Sequence, residues 1–186
     1  LCSGIYSVTV TDSTGCDTVN YFLISDPANI SVLLIDSVNI QCNGLCTGEA
    51  ITSVAGGVSP YTFLWNTGED TSSINGLCAG TYLLSVTDAN ECKGVLSVEI
   101  SEPPLLLISG LTSSEIDCNG NCNGTGSVSI SGGVLPYSYS WNNSQNSFSI
   151  NNLCPGNYLV TITDSNNCVV DTALVISQPA PLQGAT

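Results

Sequence analysis

Across residues 80–88, Tyr82, Leu84 and Val86 alternate with Thr81, Leu83, Ser85 and Thr87. A period of two, rich in β-branched and aromatic side chains, predicts a strand with one buried face. The alternation returns at Tyr158, Val160 and Ile162, and it is already present at Tyr6, Val8 and Val10. Leu96, Val98 and Ile100 predict the next strand, reached through the turn Asp88-Ala89-Asn90-Glu91. Upstream, strands are predicted near 30–36, 48–54, 60–66 and 71–76, with Tyr61, Phe63 and Trp65 on one face of the third. Gly56-Gly57 ahead of Ser59-Pro60 marks a turn that needs unusual dihedrals. No stretch carries a helical period.

The whole pattern recurs every 76 residues without a gap. Leu1-Cys2-Ser3-Gly4 becomes Leu77-Cys78-Ala79-Gly80 and Leu153-Cys154-Pro155-Gly156. Cys42, Cys46 and Trp65 return as Cys118, Cys122 and Trp141, and Cys16 returns as Cys92 and Cys168. A fixed period of this size is the mark of a tandem array of folded modules. Prolines punctuate it at one phase: Asp26-Pro27, Glu102-Pro103-Pro104 and Gln178-Pro179. The expected domains are the C-terminal half of a repeat at 1–26, full repeats at 27–102 and 103–178, and the start of another at 179–186. With almost no linker, neighbouring modules are expected to touch in a semi-rigid array. The chain is read as a segment of a longer array.

A module near 76 residues is small, so its hydrophobic core alone gives marginal stability. The ten cysteines, four in each full module and two in the leading half, suit an oxidised extracellular domain stapled by disulfides. Zinc is disfavoured, because there is no His and the Cys-x3-Cys pairs lack a second pair at finger-like spacing. One basic residue against fifteen acidic ones gives a formal charge of −14, which disfavours nucleic acid and anionic membrane surfaces as partners. Apolar runs fall well short of the ~20 residues a membrane span requires. Six or seven short strands, one core Trp and a Tyr just inside a late strand together predict an all-β chain of tandem immunoglobulin-like β-sandwiches.

Three motifs carry a family resemblance. They are Gly56-Gly57-Val58-Ser59-Pro60-Tyr61-Thr62-Phe63-Leu64-Trp65-Asn66, Leu77-Cys78-Ala79-Gly80-Thr81-Tyr82 and Val86-Thr87-Asp88-Ala89-Asn90-Glu91-Cys92. Together they resemble the SprB-type repeat of very large cell-surface gliding and adhesion proteins of Bacteroidota. The resemblance covers the chain at repeat level. It implies secretion through the type IX system, display on the outer surface and a role in adhesion or gliding. Family members often carry Gly where this chain has Glu91 and Asn167.

Four cysteines in a module allow three connectivities. Cys78 and Cys92 bracket one predicted strand, so about 25 Å separates them, whereas bridged Cα atoms lie about 4.4–6.8 Å apart. The expected pairs are Cys46–Cys78 and Cys42–Cys92, mirrored by Cys122–Cys154 and Cys118–Cys168. Cys2 and Cys16 are expected to pair with the missing half-repeat. The same strand length strains Cys42–Cys92, since Cys42 lies within about 14 Å of Cys46. A bridge between adjacent modules stands as the alternative.

Most acidic residues drift between copies: Glu49 faces Thr125, and Glu99 faces Val175. Only Asp12, Asp88 and Asp164 recur in phase, each where the last hairpin turns. The plain reading is a side chain bonding nearby backbone N–H groups, with calcium ligation as the alternative. The row Tyr61, Phe63, Trp65 reads as sandwich core rather than a sugar-stacking platform. Asp17-Thr18-Val19, Asp36-Ser37-Val38 and Asp171-Thr172-Ala173 resemble a short O-glycan acceptor motif, marking Thr18, Ser37 and Thr172.

These readings favour a structural and adhesive segment of an extracellular surface filament, in attachment or gliding. Its expected partners are neighbouring repeats or subunits of the filament, and a surface polysaccharide or solid substratum. The alternative is a glycan- or polymer-binding module using the variable loops 66–73 and 142–149. An enzyme is not expected: without His or Arg, with one Lys and no carboxylate pair kept across copies, the general acid–base repertoire is missing. No cofactor is expected beyond the calcium alternative.

Overall fold

The computed structural model describes residues 4–26 and 28–183. Among these the chain forms fourteen strands and no helix. The leading segment is a hairpin of β1 (Gly4–Thr11) and β2 (Asp17–Ile24), paired in register from Gly4 opposite Ile24 to Thr11 opposite Asp17. The first full repeat holds β3 (Ser31–Val38), β4 (Gly48–Ala55), β5 (Thr62–Trp65), β6 (Ser73–Leu77), β7 (Gly80–Thr87) and β8 (Lys93–Ile100). The second holds β9 (Leu107–Ser114), β10 (Gly124–Ser131), β11 (Ser138–Trp141), β12 (Ser149–Leu153), β13 (Gly156–Thr163) and β14 (Val169–Ile176).

Each full repeat forms two three-stranded sheets, β3-β4-β6 with β5-β7-β8 and β9-β10-β12 with β11-β13-β14. Strands one, two and four of the repeat make one sheet, and three, five and six the other. This is the connectivity of an immunoglobulin-like sandwich, with Trp65 and Trp141 buried on the third strand. Tyr158, near the start of the fifth strand, donates from Oη to the Cys154 carbonyl at 3.0 Å. Such a bond back across a corner is a further mark of the fold. In the second repeat Ile116, Val128, Trp141, Ile150, Leu153, Val160, Ile162, Leu174 and Ile176 form one contiguous core. Alternation in the strands therefore places one row of side chains inward, and Leu159 and Val175 on the same strands are exposed.

Corresponding core positions trade volume. Ala50 and Val98 are buried in the first repeat, where the second has Gly126 and Leu174. A Cβ on Gly126 would lie 2.1 Å from Leu174 Cδ2, so the larger Leu is accommodated by the absent methyl. The paired change keeps the interior filled, as close packing demands.

Compactness does not follow the proline punctuation. One unit comprises Leu1–Asp36, Ala50–Ile74 and Thr81–Val98; the other comprises Ser37–Glu49, Asn75–Gly80 and Glu99–Thr186. The first unit buries Val32, Ala50, Trp65, Ile74, Leu84, Val86 and Val98. The second takes the whole of the second repeat together with the part of the first repeat that carries Cys42, Cys46 and Cys78.

Candidate functional site

The chemistry of the second unit lies in its cysteines. Cys46 is bonded to Cys78 and Cys122 to Cys154, each across 32 residues. Each bond ties the loop before the repeat's second strand to the start of its fifth. Cys42 is bonded to Cys168, 126 residues away in the next repeat, with Cα atoms 5.6 Å apart. Two expected pairs are therefore corrected: neither Cys42–Cys92 nor Cys118–Cys168 forms, and Cys92 and Cys118 are exposed thiols. Cys16 is also an exposed thiol, and Cys2 lies outside the described residues.

Strand length explains the correction. Cys46–Cys78 holds the β3–β4 loop at the beginning of β7, whereas Cys92 follows the far end of that eight-residue strand. Eight extended residues cover about 25 Å. Cys42, four residues from Cys46, stays at the near end and cannot reach. The turn between β13 and β14, with Cys168, meets it there instead.

Both sides of the Cys42–Cys168 bond are held by backbone. On the Cys42 side, Asn43 donates from Nδ2 to the Pro103 carbonyl at 3.0 Å, and the Gly44 amide donates to Glu102 Oε2 at 2.7 Å. The amide of Ile40 donates to the Ser101 carbonyl, and that of Ser101 to Asn39 Oδ1. The loop is thus tied to the proline boundary that follows its own repeat. On the Cys168 side, Asp164 Oδ1 accepts from the amides of Asn166 and Cys168 at 2.9 Å each. Asn166 then donates from Nδ2 to the Gln41 carbonyl at 2.9 Å, beside the disulfide.

The three recurrent aspartates share this turn. Asp88 Oδ1 accepts from Asn90 at 2.8 Å and Cys92 at 2.9 Å, and Asp12 Oδ1 accepts from Thr14 at 2.8 Å and Cys16 at 3.0 Å. The second oxygens of Asp88 and Asp164 accept from the amides of Val58 and Val134, at 2.9 Å. These two side chains are 5% and 4% exposed, so they clamp the Gly-Gly turn to the last hairpin inside each repeat. Gly57 permits the approach: a Cβ there would lie 2.9 Å from Asp88 Oδ2, and its φ is 65°. The Val58 hydrogen bond, followed by those of Cys92 and Asn90 and opposed by desolvation, holds the Asp88 carboxyl below its usual range. Asp12 is lowered chiefly by the Thr14 hydroxyl, then by the amides of Cys16 and Thr14. Both carboxylate oxygens of Asp88 and Asp164 thus accept from amides, and no cluster of three or more His, Cys, Asp or Glu lies among the described residues.

Glu91 and Asn167 occupy left-handed backbone, each with φ 64°, as does Gly15 in the leading hairpin with φ 85°. The turn keeps one geometry whichever residue fills it. Trp65 and Trp141 are core, their Nε1 atoms donating to the Thr71 and Ser147 carbonyls at 2.9 Å. Those bonds anchor the loops 66–73 and 142–149. Thr18, Ser37 and Thr172 lie on β2, β3 and β14, Thr18 exposed and the other two half-buried.

The SprB repeat model matches residues 34–70 and 110–146, two stretches in phase with the period. The chain carries SprB repeats. Each matched stretch of SprB repeat runs from the first strand to just past the third, and so includes Cys42, Cys46 and Trp65 or their counterparts. No curated protein matches the chain. Among solved structures it is similar to the N-terminal eight Ig domains of Down Syndrome Cell Adhesion Molecule isoform 1.30.30, with 14% identity and a TM-score of 0.40. That likeness covers 96% of this chain and 27% of the other, so the chain spans about a quarter of that protein's length. It is also similar to the surface layer protein SbsC, domains 1–6, with 12% identity, a TM-score of 0.33, and coverage of 96% of this chain and 36% of the other.

The bond between successive repeats is the connectivity that stands as the alternative in the sequence, behind pairing within one module. Its signal lay in the reach of the chain: Cys42 is tethered near Cys46, and Cys92 is a strand away.

Proposed function

We propose that this segment is a load-bearing structural and adhesive part of an extracellular surface filament, serving attachment or gliding rather than catalysis. The observation that carries the reading is the Cys42–Cys168 bond, which joins two successive SprB repeats covalently. A filament tethered at one end and gripping at the other is pulled along its chain. Tension applied at the two ends passes through this bond and bypasses everything between residues 42 and 168. Cys46–Cys78 and Cys122–Cys154 both lie inside that shielded stretch, so they form a second line of restraint. Disulfides of this kind persist outside the cell, which supports an extracellular location. Neighbouring repeats are the first partners of the segment, and a polysaccharide or solid substratum is the surface it would grip.

Single-molecule pulling of the chain by its ends tests the load path. The oxidised chain is expected to lengthen only through residues outside 42–168. Reduction releases 126 more residues, or about 420–450 Å of contour at full extension. Equal contour gain with and without reductant would remove the reading. Adhesion is measured separately, as retention of chain-coated beads on glass and on polysaccharide under flow. Retention no greater than that of uncoated beads would leave a structural role and remove the adhesive one.

A further inference from the structure

The three exposed thiols among the described residues all stand in register with the bond between repeats. Cys118 is one period after Cys42, and Cys92 and Cys16 are one and two periods before Cys168. We propose that Cys118 is a covalent joining site whose partner is the Cys168-phase cysteine of a further SprB repeat, so that the Cys42–Cys168 bond recurs along the array.

Cys118 already has the surroundings that Cys42 has in its bonded state. Asn119 donates from Nδ2 to the Pro179 carbonyl at 3.0 Å, as Asn43 does to Pro103. The Gly120 amide donates to Gln178 Oε1 at 2.9 Å, as Gly44 does to Glu102. Ile116 and Asn121 repeat the backbone bonds of Ile40 and Leu45.

The surface beside it corresponds as well. Cys42 sits in a cleft shared with Pro103, Leu106 and, from the far side, Gly133, Asp164 and Cys168. Cys118 borders the corresponding surface with Asn119, Pro179, Ala180, Pro181 and Leu182. Leu106, buried at 8% exposure, packs on the Gly-Gly turn of its own repeat, where a Cβ on Gly133 would lie 2.7 Å from Leu106 Cδ1. What completes the cleft across Cys42 is the Gly-Gly turn and last hairpin of the next SprB repeat, which identifies the occupant by its chemistry.

The complementary turn is preformed in the other two copies. Asp88 and Asp12 hold the amides of Cys92 and Cys16 as Asp164 holds that of Cys168. Asn90 stands at the phase of Asn166, whose amide reaches the Gln41 carbonyl, whereas the leading hairpin has Thr14 there.

Bond formation joins Sγ of Cys118 to Sγ of the partner. Each thiol gives up one proton and one electron. The two electrons and two protons pass to a disulfide oxidant, oxidised glutathione or a dithiol oxidoreductase, which leaves as two thiols. The inference rests on the array reading because it needs a further repeat, but it does not depend on adhesion.

The test lengthens the chain by one unit: residues 1–178 followed directly by a second copy of 103–178, oxidised in a glutathione buffer. Alkylation and peptide mapping then report every thiol and bond. Cys118 is expected to be linked to the Cys168-phase cysteine of the added copy, its alkylation falling at least about tenfold from that in the 186-residue chain. With Cys118→Ser, that partner becomes alkylatable while the other bonds form. Should Cys118 stay alkylatable, or pair within its own repeat, while the added copy forms its internal Cys122–Cys154-type bond, the proposal is overturned and the filament reading stands. If that internal bond fails, an added copy of 27–102 is mapped in the same way, and an alkylatable Cys118 beside its formed internal bond overturns the proposal equally.

Discussion

The repeat 27–102 and the repeat 103–178 share strand order, sheet pairing and aspartate clamps, yet they differ in which cysteines are bonded. Cys42 is cross-linked and Cys118 is not, although the same backbone bonds surround both. Cys168 is cross-linked and Cys92 is not, although the same Asx turn presents both. Local structure is therefore constant between the copies, and the bond that forms takes one cysteine from each of two repeats. Interior and turn positions vary as well, but there the copies compensate within themselves.

Substituting the clamp gives the largest expected separation between regions. Asp164→Ala leaves the amides of Val134, Asn166 and Cys168 without their acceptor. Since an unsatisfied buried donor costs about 1–3 kcal/mol, a loss near 2–4 kcal/mol is expected by denaturant titration. Asp12→Ala, in a hairpin open to solvent, is expected to change the midpoint far less. Equal losses would show that burial does not set the strength of the clamp. The same groups predict acid sensitivity. Asp88 and Asp12 have lowered folded pKa values, so their contribution is complete above the unfolded value and is lost as pH falls through the folded one. Melting temperature is expected to be flat near neutrality and to fall below about pH 4. A steady rise on acidification would contradict the clamp.

The traded core positions give the next effect. Gly126→Ala places a methyl against Leu174 and is expected to cost about 1–3 kcal/mol. Adding Leu174→Val recreates the Ala–Val pair of the first repeat and is expected to restore most of that loss, read as a double-mutant cycle. Strictly additive losses would mean that the two repeats fill their cores by unrelated means.

Smallest is the left-handed turn. Glu91→Gly is expected to stabilise by about 0.5–1 kcal/mol, because Glu pays a steric cost at positive φ that Gly avoids. Asn167→Gly is expected to do less, since Asn tolerates this region. A destabilised Glu91→Gly would point to a side-chain contact that outweighs the strain.

Much of the fold was readable beforehand. Tyr82, Leu84 and Val86 announce β7 because period two is a local property of a half-buried strand. The Asp88 turn was readable for the same reason, its bonds to Asn90 and Cys92 spanning only a few residues. Its third bond, from Val58, was not, because that contact crosses 30 residues and depends on how the Gly-Gly turn packs. The buried role of Trp65 followed from its neighbours on the strand. The partner of Cys42 did not, since no local pattern records what lies across a fold.

The amino-acid sequence alone determined the period, the strands, the turn chemistry and the oxidised character of each module, because these arise from residues near one another along the chain. Tertiary structure alone decided that the first cysteine of one repeat bonds the last cysteine of the next. A disulfide needs two Sγ atoms brought within bonding distance, and only tertiary packing sets which pair that is.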